Sequence, residues 1–193
     1  MRRLASLGIG VALCGCGAGA SDRTAADVDQ RLALEGLSLR VPSGWSSYAV
    51  DFGAGSPEPM LWVANVTLPT KPSKDHPNEL APYQALSGLP RDGIVLVVEA
   101  VRADASAEEE CPSAQLVLTA ADVQDSYEGK PAPNVASGSV YSHSQGLCLF
   151  AQAWFGVNEP DEAMRAEVNR VLSSVELRPE PPSAAKGRRG STS

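Results

Sequence analysis

Short runs in which apolar residues alternate with polar ones dominate the middle of the chain and predict a β-sheet. Leu37, Leu39 and Val41 alternate with two polar residues, which is the pattern of a strand with one buried face. A turn is predicted at Pro42-Ser43-Gly44. Further strands are predicted over residues 45–52, 60–68, 94–101, 114–119, 140–141 and 147–155.

Two of these runs set the expected centre of the sheet. Residues 94–101 read IVLVVEAV, a run rich in β-branched residues and short for a buried helix, so we predict a central strand buried on both faces. The strands around residues 140 and 147–155 are expected to form a hairpin that turns at residues 144–146.

Helical spacing occurs twice. Near the end of the chain, we predict a helix with Asn158 as its N-cap, Pro160 and Asp161 in its first turn, and an end near Ser174. Its apolar positions recur every three or four residues, at Met164, Val168, Val171, Leu172 and Val175. A shorter helix is predicted after Asn78, and residues 175–177 are predicted to add a last edge strand.

The flanking segments lack this patterning. Residues 16–35 are predicted to be a tether that passes into a short helix or an extended lead-in, followed by one folded domain over residues 36–178. Residues 122–137 read as a long excursion between strands. Residues 179–193 contain three prolines and no apolar period, which predicts a disordered tail.

The first residues have the layout of an export signal. Arg2 and Arg3 precede about ten apolar or small residues, a segment too short to span the ~30 Å hydrocarbon core permanently. The following Leu13-Cys14-Gly15-Cys16 resembles the lipobox of bacterial lipoproteins. The resemblance implies that residues 1–15 are a cleaved signal peptide and that the thiol of Cys16 receives a diacylglycerol. The new amino end would be acylated too, by a fatty acid such as palmitate.

Two other fates of this segment stay open. Ala18-Gly19-Ala20 is an A-x-A pattern that would release a soluble secreted protein starting at Ser21, and the segment could also remain as an uncleaved anchor. All three alternatives, the lipid-bearing form included, export the folded body, which predicts a location in the cell envelope. A protein with two or more acyl chains would be held firmly at the membrane.

Composition narrows the classes of partner. The chain has 193 residues, 43% of them hydrophobic and 20% charged, which is typical of a globular protein. Its net charge is −7, and it becomes −9 when Arg2 and Arg3 are removed with the signal. Because nucleic-acid binding needs a concentrated basic surface, we expect no nucleic-acid partner. No other apolar run approaches the length of a membrane span.

Cysteine count agrees with export. If Cys14 leaves with the signal and Cys16 carries lipid, Cys111 and Cys148 remain as an even pair. A disulfide between them is the default in an oxidising compartment. The alternatives are two buried thiols, or a reactive Cys148 served by His143.

In order, the predicted elements resemble the PsbP-like fold family, which includes bacterial lipoproteins of the DcrB type. The residues that carry the resemblance are GLSLRVPSGW at 36–45, LPRDGIVLVVEA at 89–100, LCLFAQAWFG at 147–156 and AEVNRVLSSVEL at 166–177. It implies an α+β fold, an antiparallel β-sheet with helices packed on its faces in an α/β/α sandwich. The family shares no catalytic residues; its members serve as assembly factors, accessory subunits or proteins of unassigned role.

Little in the sequence points to catalysis or metal binding. His76 and His143 have no His or Cys at ligand spacing, so we expect no metal site and no cofactor. The acidic residues 104–110 lack the spacing of a calcium loop and read as a solvated loop. Trp45, Trp62 and Trp154 are expected to be core anchors.

The sequence therefore predicts a non-enzymatic binding or assembly module. Its expected partners are the lipid membrane, through acylated Cys16, and an envelope protein. The alternative is an envelope small-molecule binder or enzyme whose site is assembled from residues that are far apart in the sequence.

Overall fold

A computed structural model of the protein describes residues 29–50, 59–72, 74–75, 80–102, 111, 115–124, 134–144 and 147–178. Within these ranges the chain forms nine strands in two antiparallel sheets, one α-helix and two 3₁₀ helices. The prediction of an α+β fold built on antiparallel sheet is confirmed at this level. The predicted signal peptide (residues 1–15), Cys16, His76, the predicted Asn78 cap, the acidic loop and the whole predicted tail (residues 179–193) lie outside the described residues.

The larger sheet contains six strands in the order β3–β4–β5–β8–β7–β6. Their bounds are Ser46–Val50 (β3), Met60–Ala64 (β4), Ile94–Arg102 (β5), Val123–Gln124 (β6), Ala136–Ser144 (β7) and Leu147–Phe155 (β8). The β5 strand lies between β4 and β8 and is buried on both faces, which confirms the predicted central strand. The predicted hairpin is also confirmed, because β7 pairs with β8 over nine positions.

The smaller sheet has three strands, in the order β1–β2–β9: Gln30–Leu34 (β1), Leu37–Val41 (β2) and Glu176–Leu177 (β9). The predicted last edge strand is thus present. The β1–β2 hairpin turns on Glu35 and Gly36, whose φ angles are 45° and 85°. Two successive positive φ values match the twist of the flanking strands, which is why such turns connect hairpins. Residues 30–34, included in the predicted tether, therefore belong to the folded body.

The helix α1, Glu162–Leu172, joins the two sheets. It packs on β5 and β8 of the large sheet and on β2 of the small one. Its buried residues Val168, Val171 and Leu172 lie in one core with the inner-face leucines of β2. The predicted stripe is confirmed, since burial of this amphipathic face supplies most of the stability of a short helix.

A second core covers the opposite face of the large sheet. A 3₁₀ helix over Ala81–Gly88 places Leu86 against Trp62, Val95 and Trp154. Pro82 lies at the start of this helix, where its missing N–H is tolerated. The large sheet is therefore covered on both sides by helical elements.

Two expected boundaries are wrong. The helix begins after Asp161, not Asn158, because the Asp161 carboxylate accepts a hydrogen bond from the Met164 N–H at 2.8 Å. Strand β4 ends at Ala64, four residues before the predicted end, because the Asn65 side chain turns to the backbone of the neighbouring strand. The helix ends at Leu172, close to the predicted end near Ser174.

The predicted strand at residues 114–119 is also wrong. Residues 115–119 are extended but pair with no strand, and a 3₁₀ turn, Ala120–Asp122, follows them. The backbone of Leu118 is instead hydrogen-bonded by the side chain of Asn169 in α1. An apolar pattern of this length does not reveal whether the partner is a strand or a side chain.

Candidate functional site

The outer face of the small sheet carries a cluster of charged side chains around a groove of about 420 Å³. Its polar lining consists of Asp29, Arg31, Ser38, Arg40, Ser174 and Glu176. Leu32, Leu39 and Leu177 point the other way, into or against the core. Since side chains alternate along a strand, the polar residues between them share the solvent face. We call the cationic part of this surface, Arg31, Arg40 and Arg178, the basic face.

Arg31 and Arg40 occupy directly opposite positions in the β1–β2 pair. Like charges at opposite positions of a strand pair repel and destabilise it. Two partners offset the repulsion at Arg31. Its Nη2 donates to the buried Ser38 hydroxyl at 2.8 Å and lies 3.3 Å from a Glu176 carboxylate oxygen. The same carboxylate oxygen accepts from Arg178 at 3.1 Å.

Arg40 is held by its backbone and not by its side chain. Its N–H donates to the Ser174 hydroxyl at 2.8 Å, and that hydroxyl donates to the Val171 carbonyl at 2.6 Å. These two bonds fix β2 against the end of α1. Among the described residues, the exposed Arg40 guanidinium has neither a carboxylate nor a hydrogen-bond partner.

This arrangement suits an anionic group. The small sheet balances its three guanidinium groups with three carboxylates, Asp29, Glu35 and Glu176, on a chain whose net charge is −7. A guanidinium offers several N–H donors in a fixed fork that matches a carboxylate or a phosphate. The groove is only partly enclosed, so a charged group can enter it from solvent.

Cys111 and Cys148 form a disulfide with a Cα–Cα distance of 5.9 Å, which confirms the predicted pair. Cys148 lies in β8 and faces Val101 of β5 and His143 of β7 across the sheet. The bond therefore ties residue 111, which follows β5, back to the end of the sheet where the β7–β8 hairpin turns. A free Cys148 thiol activated by His143 is excluded in this state.

The other predicted residues are scattered. His143 is partly buried in β7, and its Nε2 has no hydrogen-bond partner within the described structure. Trp62 and Trp154 are fully buried, as predicted for core anchors, and their rings stack 5.7 Å apart at 4°. Trp45 is only partly buried, against the core that contains α1.

Among the described residues, no group of three or more His, Cys, Asp or Glu side chains is placed to hold a metal ion. Nor does any helix in the described ranges have the length and apolarity needed to cross a membrane.

Sequence reasoning missed the basic face altogether. Arg31 fell in a segment predicted as tether, so it was not expected opposite Arg40. The available signal was the pattern of residues 30–41, in which two alternating runs flank Glu35-Gly36. A Glu-Gly pair is a weaker turn signal than Asn-Gly or Asp-Gly, which explains the miss.

Comparison of the chain with protein-family models, with characterised proteins and with solved structures finds no significant match to any of them.

Proposed function

We propose that the protein is a lipid-anchored bacterial cell-envelope protein that acts as a non-enzymatic binding or assembly module. The observation that carries the proposal is the segment Leu13-Cys14-Gly15-Cys16 after Arg2, Arg3 and an apolar run. Acylated Cys16 would hold the body at the extracytoplasmic face of a membrane.

The disulfide supports this location. Disulfides persist in oxidising compartments and are rare where thiol reductants are abundant. The Cys111–Cys148 bond is compatible with an exported protein, and it leaves Cys16 to receive the lipid.

We further propose that the body has a PsbP-like fold of the DcrB type. The supporting features are the Pro42-Ser43-Gly44-Trp45 turn after β2, the central β5 strand and the late α1 helix followed by β9. In the turn, the Trp45 N–H donates to the Pro42 carbonyl at 3.1 Å. Members of that family serve as assembly factors, accessory subunits or proteins of unassigned role, and an open charged surface suits an assembly or accessory role.

The anchor is tested by the intact mass of the native protein purified from membranes, with and without reductant. We expect a chain that lacks residues 1–15 and carries acyl groups, and a gain of two hydrogen atoms when the reductant converts the Cys111–Cys148 bond to two thiols. The Cys16→Ser variant should lose the acyl mass. A native chain that retains residues 1–15, or that starts at Ser21 without lipid, would contradict the anchor.

The binding role is tested separately, by crosslinking in intact cells followed by purification of the anchored protein. We expect one envelope protein to be recovered repeatedly with the native chain and to be lost with the Cys16→Ser variant. Failure to recover any specific partner would contradict the assembly role and leave the anchor standing.

The groove on the small sheet favours one alternative, an envelope protein that binds a small anionic molecule. Its volume of about 420 Å³ is within the range of ligand sites. This reading predicts that a soluble organic anion raises the melting temperature progressively as its concentration increases, and that Arg40→Gln abolishes the rise.

A further inference from the structure

We propose that the basic face is the surface on which the anchored body rests against the membrane, with Arg40 contacting the phosphates of anionic lipid headgroups. This inference rests on the proposed anchor at Cys16 for its biological setting. The contact itself depends only on the described residues Arg31, Arg40 and Arg178.

The first argument is that the small sheet places two like charges, Arg31 and Arg40, directly opposite each other. Placing Arg40 opposite Arg31 destabilises the β1–β2 pair, and Glu176 compensates only Arg31 and Arg178. An unfavourable pair of charges that no other residue of the fold compensates is typical of a functional surface. An external anion at Arg40 supplies the missing compensation, and a phosphate matches the guanidinium fork.

The second argument is the place where the segment that follows Cys16 joins the described body. The described chain begins at Asp29, two residues before Arg31, and ends at Arg178 on the same sheet. Thirteen positions separate Cys16 from Asp29, a length that spans at most about 45 Å. The segment from Cys16 therefore joins the body beside the basic face, and its length allows this face to reach the lipid.

The third argument is charge. The chain as a whole carries a net charge of −7, so an anionic membrane repels most orientations of the body. The small sheet balances its three arginines with three acids, Asp29, Glu35 and Glu176, so it is neutral while the chain as a whole is acidic. An orientation with this face toward the headgroups places Arg40, which has no acidic partner among the described residues, where a basic residue contributes about fivefold to binding, the equivalent of about 1 kcal/mol.

The test uses the mature chain from residue 16 with Cys16→Ser, so that binding without the lipid is measured. Co-sedimentation is measured with vesicles of phosphatidylcholine alone and with vesicles that contain 30% phosphatidylglycerol, a composition chosen for the assay at roughly physiological anionic content. We expect binding only to the anionic vesicles and weaker binding at higher salt, because screening reduces the attraction.

The variant Arg31→Gln/Arg40→Gln/Arg178→Gln should bind the anionic vesicles at least about tenfold more weakly, and Arg40→Gln alone about fivefold more weakly. The matched control is Lys71→Gln/Lys74→Gln/Arg91→Gln, which changes net charge equally at exposed positions away from the small sheet. It should change binding less than about twofold. Melting temperatures of both triple variants verify that each is folded.

Four results would overturn the proposal: no binding of the unsubstituted chain to anionic vesicles, equal binding to neutral ones, equal weakening by both triple variants, or full displacement by soluble glycerol phosphate. The last result would identify a free anion as the ligand. None of these results bears on the acylation of Cys16, which is read from the mass of the native protein.

Discussion

Asn169 of α1 holds Leu118 by both backbone groups of that residue. The side-chain Nδ2 of Asn169 donates to the Leu118 carbonyl at 2.9 Å, and the side-chain Oδ1 accepts from the Leu118 N–H at 2.8 Å. One side chain thus replaces the strand that residues 115–119 lack, and it anchors the buried Leu118 against the helix.

Asn169→Ala should lower the free energy of unfolding by about 2 kcal/mol, because two backbone groups next to the core lose their partners. Denaturant unfolding measures the change. Asn169→Asp retains the acceptor and loses the donor, so we expect an intermediate loss. The exposed Asn158, which is not the N-cap, provides the control: Asn158→Ala should change stability by less than about 0.5 kcal/mol. Equal effects at the two positions would contradict the bridging role.

Gly156 lies where no side chain fits. A Cβ at this position would overlap the carbonyl group of Pro90, and the Gly156 N–H donates to the Gly93 carbonyl at 3.0 Å. Gly156→Ala should therefore cost about 3 kcal/mol or prevent folding, since the obstacle is backbone. At Gly88 a Cβ meets nothing within 4 Å, so Gly88→Ala should be neutral or slightly stabilising. Thermal melts of the two variants compare them directly, and similar melting temperatures would refute the close approach.

The disulfide should contribute substantially to stability. Cys111 and Cys148 close a span of 37 residues, for which the chain-entropy model gives about 4 kcal/mol. Reductant should lower the unfolding midpoint of the native chain toward that of Cys111→Ala/Cys148→Ala and should leave the double variant unchanged. If the native chain unfolds identically with and without reductant, the bond does not constrain the unfolded state as expected.

The stacked tryptophans should give a near-ultraviolet circular dichroism signal. Trp62 and Trp154 lie nearly parallel, and Tyr83 meets both rings edge-on at 4.8 and 5.8 Å. Trp62→Ala should remove the paired signal and cost about 3–5 kcal/mol. Trp62→Phe should cost less, because the buried Trp62 indole N–H has no hydrogen bond to lose. An unchanged spectrum in Trp62→Ala would contradict the stacking.

Several features were predictable because they follow from local pattern. The β-branched run of β5, the stripe of α1 and the hairpin of β7 and β8 each bury a surface that the order of residues already defines. The disulfide was predictable from the even pair that remains once Cys14 leaves with the signal and Cys16 carries lipid.

Other features depended on residues far apart in the chain. Asn65 ends β4 because its side chain bonds the Asp92 carbonyl and the Ile94 N–H, both at 2.7 Å. The same amide is the acceptor of a glycosylation sequon, Asn65-Val66-Thr67, but its nitrogen is already engaged. No window of sequence around Asn65 contains its partners.

The order of residues by itself determined the central strand β5, the β7–β8 hairpin, the helix α1 and the place of a predicted export signal, since hydrophobic periodicity acts within short windows. Only the tertiary structure decided that Arg31 meets Arg40, that Glu176 compensates one of them, and that Leu118 bonds to a helix. The physical reason is that hydrogen bonds and charges take their partners from whatever the packed sheets bring within about 3–4 Å, across separations that no local pattern records.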